Sequence, residues 1–99
     1  MKKEVRRAVI AGNWKMNMTP SEAKAAVEKT AELTKGMDGC EVILCVPFVD
    51  VQAAVEAACG TGVKIGAQNV HFAEKGAFMG EISAKMLLEC GVEIGRAHV

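Results

Sequence analysis

Two short polar segments follow apolar runs and hold the residues best suited to chemistry. They are Gly12-Asn13-Trp14-Lys15-Met16-Asn17 and Gln68-Asn69-Val70-His71-Phe72. Lys15 supplies a positive charge and Asn13 an amide that both donates and accepts, a combination suited to an anionic, oxygen-rich small molecule such as a phosphate ester. A solvated surface lysine and a turn-forming asparagine explain the same two residues. The pair alone therefore leaves both interpretations open.

Two aromatic side chains in these segments also have alternative interpretations. Trp14 can stack on a ligand, but a lone tryptophan beside a buried strand more often packs in the core. His71 titrates near neutral pH and is a candidate general base. No neighbouring residue completes a nucleophile or metal set with it, so a hydrogen bond that braces the loop is the favoured role. No glycine-rich phosphate motif of the form GxGxxG or GxxxxGK[ST] occurs in the chain.

Three segments rich in apolar residues predict the buried strands that would position these polar segments. They span Val5–Gly12, Glu41–Val46 and Val63–Gln68. The second run is expected to be buried on both faces, and Pro47 stops it because proline cannot donate to a strand ladder.

Each predicted strand is followed by a predicted helix, although the third follows only after a long loop. The proposed N-caps are Thr19, Asp50 and Ser83, and the helices are expected to end near Lys35, Gly60 and Gly91. The start of the first helix is the best defined of the three, because Thr19-Pro20-Ser21-Glu22 combines a capping box with proline at the first helical position.

The third connection, from Asn69 to Ile82, shows neither helical nor alternating periodicity. It is about 14 residues long, more than the usual 2–6 for such units, and long loops of this kind tend to be functional. After Gly91 the pattern calls for a fourth strand. Val92–Val99 is too short and too broken by glycine and charge for a buried strand, so no fourth strand is predicted.

Alternating strands and helices with continuous apolar strands predict the α/β class, with parallel strands covered by helices. Ligand sites in such folds lie at the carboxyl ends of the strands. Both polar segments of the chain occupy that position, which makes them the candidate places for a ligand site.

Length and charge exclude several classes of protein. The chain has 99 residues, with 12 basic and 12 acidic side chains and 51% hydrophobic residues. A balanced charge without a basic patch argues against nucleic acid or an anionic membrane as a partner. No apolar run reaches the roughly 18–20 residues of a membrane span, and the start of the chain lacks the apolar stretch of a signal peptide. A cytoplasmic location is expected.

The four cysteines are expected to be small buried apolar residues. Cys40, Cys45, Cys59 and Cys90 form no CxxC pair and no paired zinc motif. A disulfide framework is not expected in a cytosolic chain, and no metal site is predicted.

Three motifs in order along the chain resemble the triosephosphate isomerase family. They are Ala11-Gly12-Asn13-Trp14-Lys15-Met16-Asn17, Gly66-Ala67-Gln68-Asn69-Val70-His71 and Gly76-Ala77-Phe78-Met79-Gly80-Glu81-Ile82-Ser83. The similarity extends from about Val5 to Val92. It implies the (β/α)8 barrel, of which residues 1–93 would supply only the first three β/α units.

The resemblance also implies an activity and two catalytic residues. The family interconverts dihydroxyacetone phosphate and glyceraldehyde 3-phosphate through an enediolate, in glycolysis and gluconeogenesis, without metal or cofactor. Asn13 would place the substrate and help to polarise its carbonyl, and Lys15 would offset the phosphate and enediolate charge. The family's catalytic histidine and glutamate segments have no counterpart here, so the chain alone is expected to be inactive.

A homodimer interface is implied as well. In the family the third loop enters a pocket of the second subunit beside the loop after strand 1. The residues placed at this interface are Met16, Phe72, Phe78, Met79, Gly80 and Glu81. Met79 stands where the family commonly has a threonine that bonds across the interface, and a thioether cannot donate that bond.

Two further expectations concern the chain as a whole. Residues 94–99 resemble a translated sequencing adapter, which predicts a non-native tail in which His98 has no catalytic role. The amino-terminal part of a truncated isomerase is the favoured interpretation. The alternative is a non-catalytic half-barrel that associates through the loop around Phe78.

Overall fold

The strands of the protein form one parallel sheet with helices packed on one face. The computed structural model describes residues 8–37, 39–92 and 94–95. Within these ranges the strands are β1 (Ala8–Asn13), β2 (Cys40–Val46), β3 (Val63–Ala67) and β4 (Ile94–Gly95), hydrogen-bonded in that order. The helices are α1 (Pro20–Leu33), α2 (Val51–Ala58) and α3 (Ala84–Glu89), and a 3-10 turn over Phe48–Asp50 precedes α2. The predicted α/β class with parallel strands is confirmed.

The core lies between the sheet and its helices. Its buried residues are Val27, Leu44, Val46, Val51, Ala54, Ala58, Val63, Ile65, Ala67, Leu87 and Val92. Because side chains alternate along a strand, Lys64 projects from the opposite face of β3 to Val63 and Ile65. There its Nζ lies 3.0 Å from Oε1 of Glu41 on β2.

The prediction that the first strand is buried is wrong for its described part. Val9 and Ile10 are 58% and 51% exposed, and β1 contributes no residue to the core. The physical reason is position, because β1 lies at the edge of the described sheet and pairs there only with β2. In the second strand, which was expected to be buried on both faces, Ile43, Leu44 and Val46 are buried and the other residues are half-buried. The predicted start of the first strand, residues 5–7, lies outside the described residues.

A fourth strand is present where none was predicted. Ile94 and Gly95 pair in parallel with Gly66 and Ala67 of β3. This ladder has two paired positions, and main-chain hydrogen bonds of this kind form without a long apolar run. Residues 96–99, including His98, lie outside the described residues, and the non-native origin of 94–99 stays a prediction.

The first helix begins as its sequence predicts. The Thr19 hydroxyl accepts a hydrogen bond from the Glu22 backbone nitrogen at 3.3 Å, and Glu22 Oε1 accepts one from the Thr19 nitrogen at 2.9 Å. This reciprocal pair satisfies two N–H groups at the helix start. Ala23 and Val27 face the core, whereas Leu33 at the other end is 71% exposed. The Ser83 cap of α3 is confirmed too, since its hydroxyl accepts from the Met86 nitrogen.

The predicted Asp50 cap of the second helix is wrong. Asp50 closes the 3-10 turn in a helical conformation, with φ −100° and ψ −6°, and its side chain makes no capping bond. A capping side chain needs an extended backbone that turns it over the first helical N–H groups. Asp50 is fully buried, and neither carboxylate oxygen has a hydrogen-bond partner. Burial raises the pKa of this carboxyl above 3.8, and the negative charge of Glu22 adds to the rise.

The expectation of four buried cysteines is also wrong. Cys59 and Cys90 are exposed, and Cys40 and Cys45 are half-buried. The two exposed thiols follow the last residues of α2 and α3, where each helix reaches the surface. Within the described ranges, no helix is both long and apolar enough to cross a membrane.

Candidate active site

The two polar segments meet at the carboxyl edge of the sheet. The parallel register places Asn13 beside Cys45 and Val46 beside Ala67, so β1, β2 and β3 end close together. Gln68 follows β3 directly, and its side chain reaches the segment after β1. The structure therefore brings together residues that are separated by more than fifty positions in the sequence.

Lys15 has an unusual backbone conformation. Its φ is +58°, in the left-handed region, which costs a non-glycine residue about 1–3 kcal/mol. Two side chains hold it there. Its N–H donates to Asn13 Oδ1 at 3.0 Å, and its carbonyl oxygen accepts from Gln68 Nε2 at 2.9 Å. We call this arrangement of Asn13, Lys15 and Gln68 the lysine clamp.

The carbonyl oxygen of Cys45 anchors the clamp to the middle of the sheet. It accepts from the Trp14 backbone nitrogen at 3.1 Å and from Gln68 Nε2 at 3.2 Å. Trp14 itself is half-buried and packs against the hydrophobic core, which confirms the core interpretation of this side chain. The segment after β1 is thus tied to β2 and to the residue that follows β3.

The clamp determines which polar groups of the segment remain for a ligand. Because Asn13 Oδ1 accepts the Lys15 N–H, the Nδ2 group of Asn13 keeps its two hydrogens as donors. The side chains of Asn13 and Lys15 are both exposed. An amide donor and an ammonium group on one hydrogen-bonded segment can bind an anionic oxygen or stabilise one that develops during a reaction.

His71 makes its hydrogen bonds within the long loop between β3 and α3 rather than with the lysine clamp. Its Nδ1 accepts from the Ala73 nitrogen at 3.1 Å, and its own backbone nitrogen donates to the Ile82 carbonyl at 2.7 Å. The imidazole ring also lies against Phe72 and Phe78, with centroid separations of 4.5 and 4.2 Å. The loop-bracing role predicted for His71 is confirmed.

The loop between β3 and α3 presents apolar side chains to the surroundings. Phe72 is 90% exposed and Met79 96%, and Met16 of the segment after β1 is 94% exposed. Phe78 and Gly80 are exposed as well, whereas Glu81 is half-buried and accepts a 3.5 Å bond from Asn69. Exposed apolar groups of this size commonly mark an interaction surface.

Sequence reasoning assigned no role to Gln68. Gln68 is only one member of a motif at the end of the third predicted strand, and nothing local in the sequence shows which backbone group its amide will meet 53 positions away. The sequence does show that Gln68 has an amide side chain with two donor hydrogens and that it comes directly after a buried strand. No group of three or more His, Cys, Asp or Glu suited to a metal ion occurs in the part of the chain that the structure describes.

Comparison with known proteins identifies similar chains. The sequence model of the family described as "Triosephosphate isomerase" matches residues 8–95. The triosephosphate isomerase of Solibacter usitatus is 48% identical over 88 residues, which cover 89% of this chain and 35% of that protein. That of Clostridium botulinum strain Loch Maree is 49% identical over the same shares. The crystal structure of triosephosphate isomerase from Bartonella henselae superposes with a TM-score of 0.78 at 36% identity, over 89% of this chain and 36% of that one. The chain spans about a third of the length of the relatives it matches.

Proposed function

Since the chain belongs to the triosephosphate isomerase family, we propose that it supplies the substrate-binding part of an enzyme that interconverts dihydroxyacetone phosphate and glyceraldehyde 3-phosphate. The reaction moves a proton through an enediolate intermediate and serves glycolysis and gluconeogenesis. We expect no cofactor, and we expect the enzyme to act in the cytoplasm.

Family membership also confirms the fold expected from the sequence. The described residues form three parallel β/α units in one open sheet, as in the first part of a (β/α)8 barrel. Active sites of such barrels lie where the strands end, and the lysine clamp occupies this edge.

The observation that carries the proposal is the clamped Lys15 beside the donor group of Asn13. The ammonium group of Lys15 offsets the charge of the substrate phosphate and of the enediolate oxygen. The Asn13 amide orients the substrate and donates toward its carbonyl oxygen. Because the hydrogen bonds of the lysine clamp hold the Lys15 backbone and the Asn13 amide before substrate arrives, less reorganisation is needed during the reaction.

Asn13 and Lys15 are one part of the catalytic set. Triosephosphate isomerase is a standard example of catalysis by a glutamate base and a neutral histidine. These 99 residues contain no motif that matches the family's histidine segment or its glutamate segment. His71 braces its own loop. We therefore expect the 99-residue chain alone to be inactive and activity to require the remaining catalytic groups.

The second part of the proposal is a homodimer. The surface defined by Met16, Phe72, Phe78, Met79, Gly80 and Glu81 would face a second subunit. The near-complete exposure of Met16, Phe72 and Met79 supports this, because such side chains gain most from being covered. Met79 replaces the threonine that is common in the family and would fill an apolar pocket without donating a bond.

A chimeric enzyme tests the proposed activity. Residues 8–92 replace the segment that matches them in the Solibacter usitatus enzyme, and isomerisation of glyceraldehyde 3-phosphate is measured. We expect a folded, active chimera and no turnover above background by the 99-residue chain. A folded chimera without activity would contradict the proposal. If the isolated chain instead formed a discrete oligomer while the chimera stayed inactive, the non-catalytic assembly module would be the better account.

A further inference from the structure

We propose that Gln68 is a positioning residue that holds Lys15 in its left-handed conformation. The geometric part of this inference stands on the structure alone. Its consequence for turnover rests on the proposed isomerase function.

The Gln68 amide is suited to this task by its two hydrogens. One nitrogen, Nε2, lies 2.9 Å from the carbonyl oxygen of Lys15 and 3.2 Å from that of Cys45. Both partners only accept, so the nitrogen rather than the oxygen of the amide must face them. The half-buried side chain thus links the end of β2 to the segment after β1.

The clamp holds Lys15 from both sides. Its N–H is bonded to the side chain of Asn13, and its carbonyl oxygen to the side chain of Gln68. With φ at +58°, the residue keeps this conformation only where its surroundings over-determine it. Loss of the Gln68 bonds leaves the carbonyl oxygen free to rotate, and φ then returns to the negative values that side chains prefer.

A change of φ at Lys15 redirects its side chain relative to the Asn13 amide. Displacement of a catalytic group by about 1 Å can lower a rate by about a hundredfold. The same ammonium group binds the phosphate of the substrate before the reaction. We therefore expect removal of the Gln68 donors to lower kcat and raise KM together.

The first experiment examines the conformation of Lys15 in the 99-residue chain by nuclear magnetic resonance. The coupling between the amide and α protons, with their nuclear Overhauser effect, distinguishes positive from negative φ. We expect positive φ at Lys15 in the wild type and negative φ in Gln68→Met, which keeps a similar length without the donors. Gln52→Met is the matched control, because Gln52 is exposed on α2. A Gln68→Met chain that keeps positive φ at Lys15 would overturn the inference.

The second experiment measures turnover in the chimeric enzyme. Gln68→Met and the isosteric Gln68→Glu should each lower kcat/KM about 10- to 100-fold, while Gln52→Met leaves it unchanged. If Gln68 acts through Lys15, the Gln68→Met change should cost little more once Lys15 is already replaced by Met. Full additivity of the two changes, or wild-type kinetics in both Gln68 variants, would refute the positioning role.

The two experiments separate the two proposals. An inactive wild-type chimera would refute the proposed function, while the resonance measurement still decides what Gln68 does. An active chimera that tolerates both Gln68 variants would leave the function intact and remove the role of Gln68. Should Gln68→Met fail to fold, Gln68→Glu provides the same comparison with the side-chain shape preserved.

Discussion

Gly91 lies so close to Val55 that a Cβ atom at position 91 would be only 3.0 Å from Val55 Cγ1. The glycine follows α3 with φ +94°, and Val55 lies on α2. The end of α3 can approach α2 at this distance only because residue 91 has no side chain. Conformation and close packing therefore both require glycine here.

Gly91→Ala should lower the free energy of unfolding by about 2 kcal/mol. About 1 kcal/mol comes from the left-handed backbone and the rest from the contact with Val55. Gly60→Ala is the matched control, because Gly60 has φ +82° but no atom within 4 Å of its Cβ position. Urea unfolding of the chain checks the difference, and equal losses in the two variants would show that the Val55 contact is unimportant.

Asp50→Asn should change how stability depends on pH. Burial raises the pKa of the Asp50 carboxyl in the folded chain and the negative charge of Glu22 adds to the rise, so the folded chain binds this proton more tightly than the unfolded chain does. The stability that this group contributes is complete below pH 3.8 and is lost as pH rises through the folded pKa. The Asp50→Asn variant has a side chain that cannot ionise, so it should be more stable than the wild type at neutral pH and lose that advantage in acid.

Chemical unfolding at several pH values measures this effect. Glu56→Gln is the control, because Glu56 is an exposed carboxylate on the neighbouring helix. A difference between Asp50→Asn and the wild type that stays constant from acidic to neutral pH would contradict the assignment.

Thr19→Ala should destabilise the chain by about 1 kcal/mol, the usual cost of losing an N-cap. The substitution removes the hydroxyl that accepts from the Glu22 nitrogen and leaves that N–H without its partner. Ser21→Ala, at an exposed position two residues away, serves as the control. Equal thermal midpoints for the two variants would mean that the Thr19 hydroxyl contributes nothing to stability.

Lys15→Met in the chimeric enzyme should lower kcat/KM by about 10²–10³-fold, as expected when one preorganised group at a developing charge is removed. The unbranched apolar side chain keeps much of the length and loses the charge. Lys24→Met, on the exposed side of α1, should leave steady-state kinetics unchanged. Retention of activity by the Lys15 variant would remove it from the catalytic set.

Met79→Lys should weaken the proposed dimer. Met79 is 96% exposed in the chain, and a lysine there would bury an unpaired charge against a second subunit. Sedimentation velocity of the chimera should show a shift toward monomer. Leu88→Lys, which replaces another exposed apolar residue outside the proposed interface, should sediment as the parent does. A dimer that tolerates the Met79 change would place the interface elsewhere.

Local signals in the sequence predicted most of the helix starts. Thr19 and Ser83 were identified as N-caps, because a capping bond depends on residues only three positions apart. Asp50 was misassigned since the 3-10 turn before it has no comparable signature. The exposure of Val9 was missed because an apolar run does not show whether other elements cover its strand.

The candidate site was predictable in its residue types but not in its geometry. Their place after a strand made Asn13 and Lys15 candidates, and the family resemblance favoured ligand binding over a surface lysine and a turn-forming asparagine. The left-handed conformation of Lys15 could not be predicted, because it depends on the Gln68 amide far along the chain. Family resemblance pointed to the segment, and only the structure shows how its backbone is held.

The lysine clamp has a consequence for the order of events during synthesis. Asn13 is available to Lys15 as soon as the first segment leaves the ribosome, whereas Gln68 emerges 53 residues later. Contacts of such sequence separation form late, because a long loop must close before they stabilise anything. Lys15 therefore reaches its final geometry only after β3 has docked, and a nascent chain shorter than that has no assembled lysine clamp.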